Sequence, residues 1–257
     1  MSLIIKTSSA FTDTALPKLY RDSLINAGSL MLFVFANLFC FAKQATPIAT
    51  DTFLNLVDGA PNASIHYSNA MGFAGGGVFL PGYGGGDSTY IDLGDNYDLA
   101  ALGSPDFLQI AWIKQNPASY DTVSNQGIWG RSNGISTANC QFMLEMNPPL
   151  VGRVSNGTIN VNLSAGGSFA PPVGVTQIAQ AWVNGTLNLY ANGAFMASAA
   201  LAGPLNNPAG ARAKIGAIQN FFKGYVYRTY LENLTVSSKN PATQVLADYN
   251  ANVSRFS

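Results

Sequence analysis

Side chains able to do acid–base, nucleophilic or metal chemistry are few in this chain of 257 residues, and their spacing limits what they could do. Cleaving a glycosidic bond takes two carboxylates flanking it, one as acid and one as base or nucleophile. The chain has only two glutamates, Glu145 and Glu232. Alternation along Gln141–Met146 puts Gln141, Met143 and Glu145 on one face and Phe142, Leu144 and Met146 on the other. Glu145 thus finds no partner on its own strand, although an aspartate from another strand is left open. The lone histidine, His66, has no second histidine or cysteine nearby with which to form a metal cluster, so packing is its default role. No Gly-x-Ser-x-Gly elbow occurs, and a hydrolytic triad would have only His66 to use. Cys40 and Cys140 lie far apart, in neither a metal-type spacing nor a disulfide framework, and are expected as buried free thiols. Asp92, Asp95 and Asp98 around Gly94 could offer oxygen ligands to calcium, but a solvated turn capped by aspartate explains the same spacing and is preferred. What remains is binding chemistry. Tyr225 and Tyr227 share a face by alternation, with Val226 and Arg228 opposite and Asn220 just upstream. Aromatic rings can stack on flat ligand surfaces. Tyr225, Tyr227 and Asn220 are therefore the candidate ligand contacts, with core packing of the tyrosines the favoured competing reading. No catalytic residue, metal site or cofactor is expected.

The elements that would hold these residues are strands. From Thr89 onward, apolar runs alternate with turn signals at short spacing. The runs are Tyr90–Leu93, Phe107–Lys114, Gly127–Arg131, Gln141–Met146, Gly152–Val154, Ile159–Leu163, Ala181–Val183, Leu187–Tyr190, Phe195–Ala197, Ala213–Gly216 and Gly224–Tyr230. Three Asn-Gly pairs, at 156–157, 184–185 and 192–193, supply the positive φ that tight hairpins require. Leu234-Thr235-Val236 is read as extending the last sheet strand. Pro241–Asn250 reads as a helix, with proline at its start and Val245, Leu246 and Tyr249 at helical spacing.

Upstream the pattern changes. Thr52–Val57 reads as a strand, and the glycine clusters at 75–77 and 82–86 as turns and loops. They are not a phosphate cradle, because no Lys-Ser or Lys-Thr pair and no amphipathic helix follows them. Leu3-Ile4-Ile5 is a short β-type run, and Leu16, Leu19, Tyr20 and Leu24 have helical spacing behind Pro17. Ala27–Ala42 is apolar and uncharged, shorter than the ~20 residues of a membrane helix. With Lys18 and Arg21 before it, it imitates a signal peptide, but it starts well inside the chain. It is expected as a buried helix or strand packed against other chains. A membrane partner is not expected.

Charge points the same way. Only 10% of residues are Asp, Glu, Lys or Arg, with a formal net charge of +0, against roughly 25% charged in ordinary soluble domains. No basic run suits nucleic acid. So sparse a charge suits a surface covered by other subunits, although Asn, Ser, Thr and Gly supply a neutral polar surface as well.

The order of runs resembles the concanavalin A-like, or laminin-G-like, lectin/glucanase jelly roll. The resemblance rests on Tyr90-Ile91-Asp92-Leu93, then Phe107 to Lys114 with Trp112, then Ile128-Trp129-Gly130. It continues through Leu187 to Gly193, Ile215-Gly216 with Phe222-Lys223-Gly224, and Asp248-Tyr249, covering about two-thirds of the chain. It implies an all-β antiparallel jelly-roll β-sandwich over residues 51–257, with an extended, partly helical N-terminal arm over 1–50. Members of such a superfold include glycan binders, glycosidases and structural modules. The Glu-x-Asp-x-Glu character of the glycosidases is absent here, and Tyr225-Val226-Tyr227 stands where calcium-binding members place carboxylates. The arm followed by a Gly-rich jelly roll also looks like a tailed-bacteriophage virion protein. The expectation is a non-enzymatic structural component of a virion: tail, baseplate or fibre, or head decoration. Other copies of itself and other virion proteins would be its partners, through Leu16, Leu19, Tyr20, Phe33, Phe35 and Phe39, with host surface glycans a further contact. The alternative is a carbohydrate-binding, lectin-like module without a structural role.

Overall fold

The computed structural model describes residues 22–66, 71–82, 89–116, 126–146, 150–166 and 174–256. The chain opens with strands β1 (Ser29–Val34), β2 (Thr52–Phe53), β3 (Ala63–His66), β4 (Gly72–Ala74), β5 (Gly77–Pro81) and β6 (Tyr90–Gly94). Next come β7 (Phe107–Gln115), β8 (Gln126–Ser132), β9 (Cys140–Met146), β10 (Leu150–Ser155) and β11 (Asn160–Ser164). Strands β12 (Thr176–Val183), β13 (Thr186–Ala191), β14 (Ala194–Ala200), β15 (Arg212–Phe221) and β16 (Lys223–Asn233) follow, then helices α1 (Leu234–Ser237) and α2 (Pro241–Phe256).

These strands form an antiparallel jelly-roll β-sandwich. The first sheet runs β14-β13-β12-β7-β16-β5-β4, with β1 also paired to β16; the second runs β11-β10-β9-β8-β15-β6-β3-β2. The two inner faces meet in a core where Phe107 of the first sheet lies 5.3 Å, ring to ring, from Phe142 of the second, and Trp129 stands edge-on to Phe142. The Gln109 amide crosses the core to donate to the Trp129 carbonyl, which satisfies one buried polar group with another.

Hairpin chemistry explains the β12–β13–β14 meander. Asn184-Gly185 and Asn192-Gly193 hold positive φ at both central positions (49° and 72°, 50° and 79°), the type I′ requirement. The third pair behaves differently. Asn156 keeps negative φ, and its side-chain oxygen accepts from the Thr158 and Ile159 amides, so a wider Asx turn joins β10 to β11.

The arm expected over residues 1–50 is corrected for residues 22–50. Strand β1 is antiparallel to β16 in the first sheet, with Leu32 opposite Tyr230 and Val34 opposite Arg228. Phe33 and Phe35 are fully buried in the chain's own core, so neither is available to a neighbouring subunit. Phe35 meets Phe53 at 4.9 Å, and the Asn55 side chain accepts from the Leu32 amide. Phe39 alone of the expected assembly residues in this stretch is exposed, at 64%. Leu16, Leu19 and Tyr20, the Leu3-Ile4-Ile5 run and Gly84-Gly85-Gly86 lie outside the described residues. Two smaller expectations also change. Thr52–Val57 is a strand only over its first two residues, and Leu234-Thr235-Val236 forms the short helix α1 capped by the Asn233 side chain.

Helix α2 closes the outer face of the first sheet. Asn240 caps it through the Thr243 amide and Pro241 occupies its first turn. Its buried stripe, Val245, Asp248, Asn252 and Phe256, faces the sheet. Trp112 lies parallel to Tyr249 and donates its indole N–H to Asp248 Oδ2 at 2.7 Å. Gln177 donates to the same oxygen, and Asn252 to Asp248 Oδ1. Arg228, fully buried, stands between two carboxylates: its Nε is 2.9 Å from Asp248 Oδ1, and Nη1 and Nη2 donate to Asp22 at 2.7 and 2.9 Å. Burial by itself would raise the Asp22 carboxyl; the hydrogen bonds and charge of Arg228 outweigh it and hold Asp22 below its ordinary 3.8. Among the described residues, no helix is long and apolar enough to cross a membrane.

Candidate functional site

Strands β3, β6, β15 and β8 are neighbours in the second sheet, and their inward residues, Ile65, Ile91, Leu93, Ala213 and Ile215, are buried. Alternation therefore turns His66, Tyr90, Asp92, Arg212 and Lys214 to the outer face. Register brings them together: His66 is opposite Tyr90, and Lys214 is opposite Asp92 on one side and Gly130 on the other. The His66 and Tyr90 rings stack at 4.5 Å with 18° between planes, and the Lys214 ammonium sits 5.1 Å from the centre of the Tyr90 ring. Arg212 is engaged elsewhere, with Asp92 at 2.8 Å and Asp95 at 3.5 Å.

Beside this row lies a cavity of about 300 Å³ lined by Tyr90, Ser132, Asn133, Lys214, Ile218 and Phe221. Its far wall exists because β15 loses register between Ile215 and Ile218 and again around Asn220. Gly216 takes φ +92° at that irregularity, a conformation open to glycine. Asn133 is anchored by donating to the Ala209 carbonyl. The cavity thus offers a ring edge, an ammonium and amide and hydroxyl groups on a rigid sheet face, the composition that suits a small polar ligand. Burial lowers the Lys214 ammonium below its ordinary value, Asp92 opposing the shift and Arg212 adding to it.

A larger, more open cavity of about 480 Å³ lies at one end of the sandwich, between Leu30, Val57, Pro61, Tyr97 and Leu102. Its walls are mainly apolar and its polar groups are engaged. The Tyr97 hydroxyl donates to the Pro61 carbonyl, and Asp98 binds Arg131, Gln141 and the amides of Ala100 and Ala101. The three aspartates considered for calcium are therefore partnered by arginines and turn amides. Among the described residues no group of three or more His, Cys, Asp or Glu side chains is placed to hold a metal.

Of the expected ligand contacts, Tyr225 and Tyr227 stand with their rings 6.2 Å apart, and Asn220 does not join them. Tyr225 is half-buried and packs 5.1 Å from Phe79, while Tyr227 is buried beneath α2, 5.5 Å from Phe256. Asn220 belongs to β15 in the other sheet, next to the cavity residue Phe221. A bulge between Val226 and Arg228 also turns Arg228 to the face of the two tyrosines, against the simple alternation. The two glutamates stand on different sheets. Glu232 accepts from Tyr230 and Asn26, whereas Glu145 is fully buried against Arg153. Burial raises the Glu145 carboxyl, Arg153 only partly offsetting it. His66, Tyr90, Arg212 and Lys214 were not singled out from the sequence as a group. The signal present was the polar alternation Tyr90-x-Asp92 and Arg212-x-Lys214, which places polar groups on one face without saying which strands adjoin.

No family model matches this chain, and no curated protein matches it. Solved structures share its fold at low identity. Domain 4 of AbnA, a GH43 extracellular arabinanase from Geobacillus stearothermophilus solved in complex with arabinotriose, aligns with a TM-score of 0.59 at 14% identity, over 86% of this chain and 97% of that one. Botulinum neurotoxin type C, whose cell entry is described as dependent on interaction with two ganglioside molecules, gives 0.58 at 11%, over 87% and 51%. A Trypanosoma rangeli sialidase in complex with sialic acid gives 0.57 at 9%, over 91% and 34%.

Proposed function

We propose that this chain is a carbohydrate-binding module whose ligand occupies the outer face of the second sheet beside Tyr90. The observation that carries the reading is the cavity itself. Aromatic side chains, His66 and Tyr90 in one row and Phe221 at the wall, stand next to an ammonium and an anchored asparagine. Sugars present both apolar ring faces and a periphery of hydroxyls, and such a mixture meets both. The fold-level likeness to an arabinanase domain solved with arabinotriose supports the reading by analogy only.

Binding without cleavage is part of this proposal. Glu145 is fully buried and paired with Arg153, and Asp92 and Asp95 are both engaged by Arg212. Neither arrangement leaves the flanking pair of carboxylates that hydrolysis requires. The virion reading drew on an apolar leader held by other molecules. With Phe33 and Phe35 inside this chain's own core, sparse charge is what still favours it. The carbohydrate-binding reading therefore takes precedence.

Tyr90→Ala should weaken glycan binding by about three- to tenfold, the scale of one aromatic contact, with the melting temperature held within a few degrees. Isothermal titration against the best ligand from a glycan array measures it. Unchanged affinity in a folded Tyr90→Ala protein would place the ligand elsewhere.

A further inference from the structure

We propose that the cavity selects glycans carrying a carboxylate, and that Lys214 holds that group; this rests on the carbohydrate-binding reading above. Lys214 is half-buried, and its ammonium stands over the Tyr90 ring at the cavity wall. No ion pair or hydrogen bond from the described residues reaches its nitrogen. The nearest carboxylate across the register, Asp92, is drawn instead to Arg212, which also takes Asp95. Asp92 and Asp95 thus both converge on Arg212, and the Lys214 nitrogen, across the register from Asp92, has its donors turned to the ligand space.

A lysine nitrogen carries three donors and no acceptor. Burial has removed part of its water, and a buried donor without a hydrogen-bond partner is unfavourable. A sugar hydroxyl would satisfy one donor. A carboxylate would accept a charge-assisted hydrogen bond, roughly twice as strong as a neutral one. The surroundings fit that division of labour. Asn133 and the Tyr90 hydroxyl are neutral and suit sugar hydroxyls, while Phe221 and Ile218 offer apolar wall. An acidic residue of the uronic or sialic type matches this arrangement in a way that a neutral hexose does not.

The test compares matched ligands on the full chain by isothermal titration. A sialylated and a uronic-acid oligosaccharide are each measured beside its carboxyl-reduced, neutral form, at low and at moderate salt. At least one acid should bind about tenfold or more tightly than its reduced partner, with the advantage shrinking as salt screens it. Lys214→Met should abolish the advantage, lowering affinity for the acid form by about tenfold more than for the reduced form, and Lys214→Arg should retain it. Equal affinity for acid and reduced forms, or a preference that survives Lys214→Met in a folded protein, overturns the proposal while leaving carbohydrate binding intact. Failure of a broad acidic and neutral panel to bind at all overturns the carbohydrate reading and this proposal with it.

Discussion

Arg228→Met should lower the free energy of unfolding by about 3–5 kcal/mol, the scale for removing one member of a buried ion pair. At this chain length that corresponds to a fall in melting temperature of roughly 6–20 °C. Arg228 is fully buried between Asp22 and Asp248, and it is the cation between the segment before β1 and helix α2. Without it Asp248 keeps its bonds from Trp112, Gln177 and Asn252 but loses its counter-charge in a site closed to water. The acid limb gives a second readout. Asp22 is held below its ordinary 3.8 in the folded chain, so the stability it contributes is present above that value and is lost as pH falls through the folded pKa. In Arg228→Met the burial that raises the Asp22 carboxyl is opposed only by the Leu24 amide and the charge of Arg255, so the carboxyl moves up. The gap between variant and wild type should therefore narrow below about pH 4. Denaturant melts across that range measure both effects. A loss under 1 kcal/mol at pH 7 would mean that α2 is held by its apolar stripe alone.

Phe33→Ala should cost about 3–5 kcal/mol, as for large aromatic side chains in well-packed cores, whereas Phe39→Ala should change stability by less than about 0.5 kcal/mol. The contrast separates two accounts of the apolar segment. As part of β1, Phe33 is fully buried and stacks parallel to Phe35 at 6.4 Å, so its removal leaves a cavity. As an assembly arm, the same residue would contribute nothing to an isolated chain. Phe39 stands 64% exposed beside Leu38, at 66%. Urea melts of the two variants decide the matter: equal, small effects would return the segment to the role of an arm.

The reason β1 looked like an arm is physical. Strands are easiest to read when one face is wet and one dry, because polar and apolar residues then alternate. Tyr90–Leu93 and Leu187–Tyr190 alternate in that way and stand out. Met31 to Phe35 are buried on both faces, so their sequence is a continuous apolar run with no period to read. The Pro241 helix was legible from its first turn, although it extends to Phe256. Arg228 was assigned to the wrong face because one bulge shifts every side chain after it, and nothing in Tyr225–Tyr230 marks that bulge. The binding row needed more than any local pattern supplies. His66, Tyr90 and Lys214 come from three strands distant in sequence, and only the pairing β3–β6–β15 makes them neighbours.

The two cysteines are both fully buried, and burial pushes each thiol up to about 12. Cys40 lies in the loop between β1 and β2; Cys140 opens β9 under the sheet face that bears the cavity. At neutral pH neither forms an appreciable amount of thiolate while closed. An alkylating reagent in excess, followed by peptide mass spectrometry, would consequently time the breathing of two separate regions in a single unmodified sample, with each adduct dating the opening of its own locale.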